Sequence, residues 1–336
     1  MMRTLLLPLA LAVACVTFGQ RHLEIGVGSG VTHYYGDLGN IDGPVQWNSA
    51  RPGMQITFRD FLNNKKRYIT RSLTTEARIS WFRIGYDETA PLRNLATTEL
   101  KNFKRGLSFR NDLVGASGHL VLNAYREPYT PLFQQRFFMF FHIGLGVYHG
   151  RPKADLFRGS VDPENRYYFW EDGSIRDAPR GTTGANVIER DGKFETDLGS
   201  WLTESYPDGS ELGKPRDFKA WHMAVPMGAG LRYMLTKQLS VGVEYCYMMF
   251  MTDELDDVSN LYATYEQIDN LYMEERDRTL ARYISDPTGW GTVGDNEDFK
   301  TSRRGNPGLL DSFSYFNFEV SYKFKRRPGR RTYMRL

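Results

Sequence analysis

Hydrophobic and polar residues alternate with a period of two along most of this chain, in runs slightly longer than ordinary globular strands. The last run is the cleanest. Phe316, Phe318, Val320, Tyr322 and Phe324 share one face, and Asn317, Glu319, Ser321 and Lys323 share the other. Leu239, Val241, Val243, Tyr245, Tyr247 and Met249 alternate in the same way with Ser240, Gly242, Glu244 and Cys246. Leu23 to Thr32 and Trp221 to Tyr233 repeat the pattern, with glycines on the polar face. Weaker alternation runs from Met54 to Phe61, Arg71 to Tyr86, Leu107 to Tyr125 and Phe137 to Tyr148, giving eight predicted strands. The connections alternate strictly between long and short. Long ones cover about 37–53, 87–106, 150–218 and 253–312, and short ones 62–67, 126–136 and 235–238.

That asymmetry predicts an all-β, eight-stranded antiparallel transmembrane β-barrel with long structured extracellular loops, short periplasmic turns and both mature termini in the periplasm. A soluble sandwich or lipocalin-like barrel would instead bury the apolar face. The glycines argue against it, since they share a face with Glu24, Glu244 and Arg232, as a narrow polar lumen requires. The same alternation nominates Glu24, Glu76, Arg78, Arg232, Glu244, Glu319 and Lys323 as interior charges. Eight strands leave room only for side chains, so these charges are expected to pair in a plugged barrel, with Glu24 and Lys323 the ones nearest a wet rim.

Composition sharpens this picture. Tyr, Phe and Trp number 20, 21 and 6 among 336 residues, more rings than a soluble core needs. Mean hydropathy is −0.49, and no run after the amino terminus approaches the roughly 18 apolar residues of a membrane helix. A net charge of +3 from nearly balanced acids and bases gives no field for nucleic acid. Arg3, the apolar run Leu5–Val16 and Thr17-Phe18-Gly19 read as a secretory signal over residues 1–19, cleaved before Gln20. A lipoprotein signal ending at Cys15 is the rival. Either cleavage leaves Cys246 as the one interior cysteine, without a partner for an intrachain disulfide. The remaining chain divides into a barrel over 20–324, with its long loops at 150–218 and 253–311, and a basic periplasmic tail over 325–336.

Candidate chemistry is sparse. Gly26-Val27-Gly28-Ser29-Gly30 lies in a strand pattern with no helix behind it, so it does not read as a phosphate loop. The six histidines show no zinc spacing, and His142 and His222 fall on alternating positions that make them lumen or interface residues. No cofactor, metal or small-molecule substrate is called for. Asp253, Glu254, Asp256 and Asp257 could bind a divalent cation, but capping of backbone amides is the reading to prefer. Tyr262–Ile284 predicts an external helix, and Asp172-Gly173 and Asp191-Gly192 predict protruding hairpins. Lys325, Arg326, Arg327, Arg330, Arg331 and Arg335 follow the last strand and suit anionic headgroups or an acidic partner.

Four strings resemble a known family when taken together. They are His33-Tyr34-Tyr35-Gly36-Asp37-Leu38, Arg105-Gly106-Leu107-Ser108-Phe109-Arg110, Thr252-Asp253-Glu254-Leu255-Asp256-Asp257-Val258-Ser259 with Tyr262, and Arg304-Gly305-Asn306-Pro307 with Asp311. Their order and context resemble the outer-membrane barrel family that contains PorG, a component of the type IX secretion system. Glu254 stands where the family often has an aromatic, and Gly106 where Asn is expected. The resemblance implies a non-enzymatic role, holding a periplasmic PorK/PorN ring against the outer membrane. Position then nominates Lys65, Lys66, Arg67 and Arg126 in the turns, with the basic tail, as the partner surface. The competing expectations are a free-standing barrel whose outer loops bind a surface ligand or adhesin, and a hydrolase acting at the rim through His149 or Asp253.

Overall fold

The computed structural model describes residues 22–39, 47–61, 72–89, 100–124, 136–205, 219–291, 304–306 and 308–325. The signal segment, Lys65, Lys66, Arg67, Arg126 and the tail beyond Lys325 lie outside them. Eight long strands form the barrel: β1 (His22–Tyr35), β2 (Arg51–Phe61), β3 (Leu73–Asp87), β4 (Ser108–Asn123), β5 (Phe137–His149), β6 (Trp221–Met234), β7 (Leu239–Phe250) and β8 (Ser312–Lys325). Each pairs antiparallel with its sequence neighbours, and β8 returns to β1 from His22↔Lys325 through Tyr35↔Ser312, which closes the cylinder.

The burial pattern is that of a membrane barrel. Val27, Ile56, Ile79, Leu120, Ile143, Val243, Phe318 and Val320 stand exposed on the outer face, while Thr57, Arg59, Glu76, Arg78, Glu244 and Glu319 between them are buried. Only a lipid bilayer solvates such an exterior. Rings stand along the wall and at both of its ends. Phe137 and Tyr233 are register partners near the short turns, where Tyr322 and Phe324 also pack at 4.9 Å, and Trp221 meets His149 at 5.0 Å near the long loops. His149 thus stands on the outer face of the wall, its ring against Trp221.

The lumen differs from the expectation of a polar interior throughout. Its turn-end half carries the charges. Its loop-end half is a packed aromatic core of Phe82, Tyr148, Met248, Phe250, Phe313 and Tyr315, with Phe250 stacked on Phe313 at 5.6 Å. A spanning strand needs only about 9–11 residues. Strands of up to 16 residues therefore run past the bilayer, and there the inner face can be apolar and merge with a globular cap.

The cap is built from the long loops. A short strand Pro152–Ala154 extends the wall from β4 and pairs with Thr196–Asp197, and Tyr168–Phe169 with Ile175–Arg176 forms a small hairpin around the Asp172-Gly173 turn. Asp191-Gly192 makes a turn with Gly192 at φ +73, but Val187 before it bridges to Arg176, so no second hairpin forms there. Two helices replace the single one expected over Tyr262–Ile284. Helix α1 (Tyr265–Leu271) starts with a Thr264/Gln267 capping box and stops at Tyr272, whose backbone is extended; α2 (Glu275–Ser285) then turns Leu280, Tyr283 and Ile284 inwards. The break lets each helix bury its own apolar side, α1 with Leu202 and Ala281, and α2 against Phe157 of the main core. No helix among the described residues is long and apolar enough to cross a membrane.

Candidate functional site

Two polar assemblies stand out, one inside the turn-end half of the barrel and one where the barrel meets the cap. The lower assembly centres on Arg59, fully buried on β2. Its Nη1 donates to Glu24 Oε1 at 2.9 Å, its Nε to Glu76, and its Nη2 to both oxygens of Glu319. Arg78 on β3 grips Glu244 through two nitrogens, at 2.6 and 2.9 Å, and returns to Glu76 at 2.8 Å. Arg232 on β6 lies 3.9 Å from Glu76 and from Glu319, with its guanidinium over the Phe140 ring at 4.5 Å. Four carboxylates thus interlock with three guanidinium groups. Lys323 is half-buried at the turn end, opposite Glu24 in register. Six of the seven nominated interior charges therefore sit in the lumen core, and Lys323 sits at its edge.

The hub itself was not among the nominated residues. Arg59 shares a face with Gln55 and Thr57, so the period of two contained it, but Asp60 and Phe61 after it invert the polar and apolar positions and blur the alternation. The histidines complete the inner wall. His119 and His142 face each other through Nδ1 at 3.1 Å, and His142 Nε2 lies 3.5 Å from Glu244. His142, Glu244 and Cys246 bring ligand atoms within 4.8 Å of one another. Both oxygens of Glu244 are already taken by Arg78, so this trio extends the ion-pair network rather than forming an open metal site.

The upper assembly joins the four strings separated in sequence. Tyr34 donates its hydroxyl to Asp256 and faces Asp311 Oδ1 at 3.5 Å. Asp311 Oδ2 accepts from the Leu255 amide at 2.8 Å, and Asp37 Oδ2 accepts from the Asn306 amide at 2.6 Å. Arg105 holds Glu88, the Arg304 carbonyl at 2.9 Å and the Asp37 carbonyl at 2.7 Å. Arg304 in turn reaches Glu204 at 3.1 Å and Asp257 Oδ2 at 3.5 Å. Asp257 has a left-handed backbone, φ +63, and Thr203 fixes its carboxylate at 2.7 Å. Gly305 fits here because a Cβ would come within 2.6 Å of the Ser259 amide.

Within the acidic run, Asp256 Oδ1 accepts from the Val258 amide at 2.9 Å, a local capping contact. Asp253 differs, since both of its carboxylate oxygens are shielded and accept no hydrogen bond. Burial, together with Asp37, Asp256, Glu204 and Glu254, pushes its pKa up to about 8. Asp256 and Asp311 shift in the same direction, chiefly through burial. This assembly ties barrel to cap through paired charges and hydrogen-bonded amides.

No protein-family model matches the chain, and no curated protein matches it. The chain is similar to solved outer-membrane proteins. The attachment invasion locus protein Ail of Yersinia pestis, solved with the heparin analogue sucrose octasulfate, aligns over 91% of this chain and 100% of its own, with 7% identity and a TM-score of 0.33. OprG from Pseudomonas aeruginosa covers 92% and 99%, with 9% identity and a TM-score of 0.35. Neisserial surface protein A covers 90% and 97%, with 8% identity and a TM-score of 0.30. The likeness is one of architecture alone.

Proposed function

We propose that this chain is a structural outer-membrane barrel of a protein-export machine of the type IX kind, coupling a periplasmic PorK/PorN-like ring to the membrane. The observation that supports this reading most is the upper assembly. The four strings that resemble the PorG-containing family, scattered from His33 to Asp311, meet in one buried knot through Tyr34, Asp37, Arg105, Asp256, Arg304 and Asp311. Strings that build one three-dimensional unit make a more specific resemblance than strings that merely follow one another. The filled lumen agrees with a scaffold rather than a conduit, because Arg59, Arg78 and Arg232 and their carboxylates occupy the space a solute would need.

In this reading the short-turn end faces the periplasm, together with both termini. The knot is then a device of the outer end, and ring contact falls to Lys65, Lys66, Arg67, Arg126, Lys325, Arg326, Arg327, Arg330 and Arg331. The test is affinity purification of the full chain from its native envelope in mild detergent. Ring proteins are expected to co-purify, and to be reduced when 325–336 is deleted. Recovery of no periplasmic partner would sink the proposal, and unchanged recovery after the deletion would remove the tail from it.

A second reading has its own observation. The cap carries two hydrophobic clusters beyond the main core, one around Phe103, Tyr167 and Phe169 and one around Leu202, Ile268 and Ala281. That is more folded structure than closing a barrel requires, and it suits a surface that binds an external ligand or adhesin. Capture of such a ligand, with no ring protein, would favour it.

A further inference from the structure

A second acidic site lies in the cap, remote in sequence from the run at 253–257. Asp155 directly follows the short strand Pro152–Ala154, and Glu195 directly precedes its partner Thr196–Asp197. Continuing the register Lys153↔Asp197 and Ala154↔Thr196 by one step sets the two carboxylates opposite each other. Asp191, from the turn at Gly192, completes a trio whose oxygens, one from each residue, lie within 4.8 Å of one another. Like charges facing across a ladder destabilise it unless something lies between them.

Each carboxylate is held by the backbone through one oxygen. Asp155 Oδ2 accepts from the Gly192 amide at 2.7 Å, Asp191 Oδ1 from the Lys193 amide at 3.1 Å, and Glu195 Oε1 from the Leu156 and Phe157 amides at 3.0 and 2.9 Å. The second oxygens of Asp155 and Glu195 are shielded from solvent and accept no hydrogen bond, and Asp155 as a residue is only 2% exposed. The remaining oxygen of Asp191 meets only the exposed Lys193 ammonium at 3.2 Å, which can swing away. Arg190 acts on Asp155 only through its charge, its hydrogen bonds going to Asp87 at 3.0 Å and the Gly106 carbonyl at 2.9 Å.

We propose that Asp155, Asp191 and Glu195 form a calcium site that braces the cap. All three donors are oxygen, which selects a hard cation, and Ca²⁺ bonds oxygens at about 2.3–2.6 Å, so its ligands stand up to about 5 Å apart. Water at the exposed Asp191 side completes the coordination. Mg²⁺ is disfavoured, because it demands a tighter octahedron. Burial, with the charges of Glu195 and Asp191, pushes the Asp155 carboxyl up to about 6, although the Gly192 amide and the Arg190 charge pull it the other way. The bound ion would tie the Asp155 strand end to the 191–195 turn, and through Leu156 and Phe157 to Tyr283 of α2, whose hydroxyl donates to the Leu156 carbonyl at 2.8 Å. This inference does not depend on a role in export.

The test uses the full chain folded in detergent micelles, titrated with Tb³⁺ and then Ca²⁺. Tyr167, whose hydroxyl accepts from the Asp191 amide at 2.9 Å, provides a nearby ring to sensitise lanthanide emission. One Tb³⁺ per chain is expected, displaced by Ca²⁺ with a Kd of about 10⁻⁴–10⁻³ M and far less readily by Mg²⁺. Asp155→Asn and Glu195→Gln should each weaken binding by at least about tenfold, whereas Asp172→Asn, at the other cap turn, should leave it unchanged. Heat-modifiable migration on gels checks that each variant has folded, and Asp191→Asn, at the exposed position, supplies a third variant where a buried substitution fails. Absence of saturable binding, or binding that survives in every folded variant of the trio, would overturn the site.

Discussion

Glu319 on β8 reaches across β1 to Arg59 on β2, and a single guanidinium nitrogen, Nη2, holds both of its carboxylate oxygens, at 2.5 and 2.7 Å. The strand between them contributes Gly26, where a Cβ would stand 2.7 Å from the Glu319 carboxyl carbon. The seam of the barrel is thus closed twice, by the β1–β8 ladder and by an ion pair that bridges over it.

Removing the hub should be far costlier than losing a surface pair. Arg59→Leu leaves Glu24, Glu76 and Glu319 without their main cation, and breaking one buried pair costs about 3–5 kcal/mol. Urea unfolding in lipid vesicles should register a loss of at least that order. Arg59→Lys should fall between, because a point charge cannot satisfy three carboxylates in a fork. A loss below about 1 kcal/mol, the scale of a surface pair, would mean that the network does not hold the barrel.

Gly26→Ala tests the bridge from the other side. The added methyl must displace a carboxylate already fixed by Arg59 and by the Thr57 hydroxyl at 3.0 Å, so a cost of about 1–3 kcal/mol is expected. In a Glu319→Ala background the same substitution should cost little, since the obstructing group is gone. Additive effects of the two changes in the same unfolding assay would contradict the crossing geometry.

How far this arrangement could be read in the sequence depends on depth in the membrane. Around Glu244 and Glu319 one face meets lipid and the other meets charges, so the period of two is plain. Further along β7, Tyr245, Cys246, Tyr247, Met248, Met249 and Phe250 are apolar on both faces, because the inner face there packs into the cap core. Alternation disappears although the strand continues. Asp155 and Glu195 were illegible for another reason: they meet across 39 intervening positions through strands of three and two residues, too short to leave any pattern.

The lipid face yields its own expectation. Phe318 is 52% exposed on β8 while its neighbours Asn317 and Glu319 are buried. Phe318→Arg should therefore destabilise the barrel by up to about 2–4 kcal/mol in bilayers, the range for a cation near the midplane. In a soluble barrel, whose outer surface is wet, the same change would be nearly neutral. Comparing unfolding of the variant and parent in vesicles decides between these outcomes.

The knot at the barrel mouth should respond to pH in the sense opposite to acid denaturation. Asp253 binds its proton more tightly in the folded state, with its pKa raised to about 8 by burial and four neighbouring carboxyl groups, and Asp256 and Asp311 are raised with it. A raised folded pKa means that the contribution of these groups is complete below the unfolded value, near 4, and is lost as pH rises through the folded one. Amides of 255–268 should accordingly be best protected at about pH 5 and loosen towards about pH 9, after correction of hydrogen exchange for its intrinsic rate. Asp253→Asn should flatten that dependence while keeping the fold, because the amide carries no charge to repel Asp37 and Glu204. Protection that grows with pH in the parent chain, or a slope unaltered by Asp253→Asn, would show that the carboxyl cluster does not control the stability of the mouth.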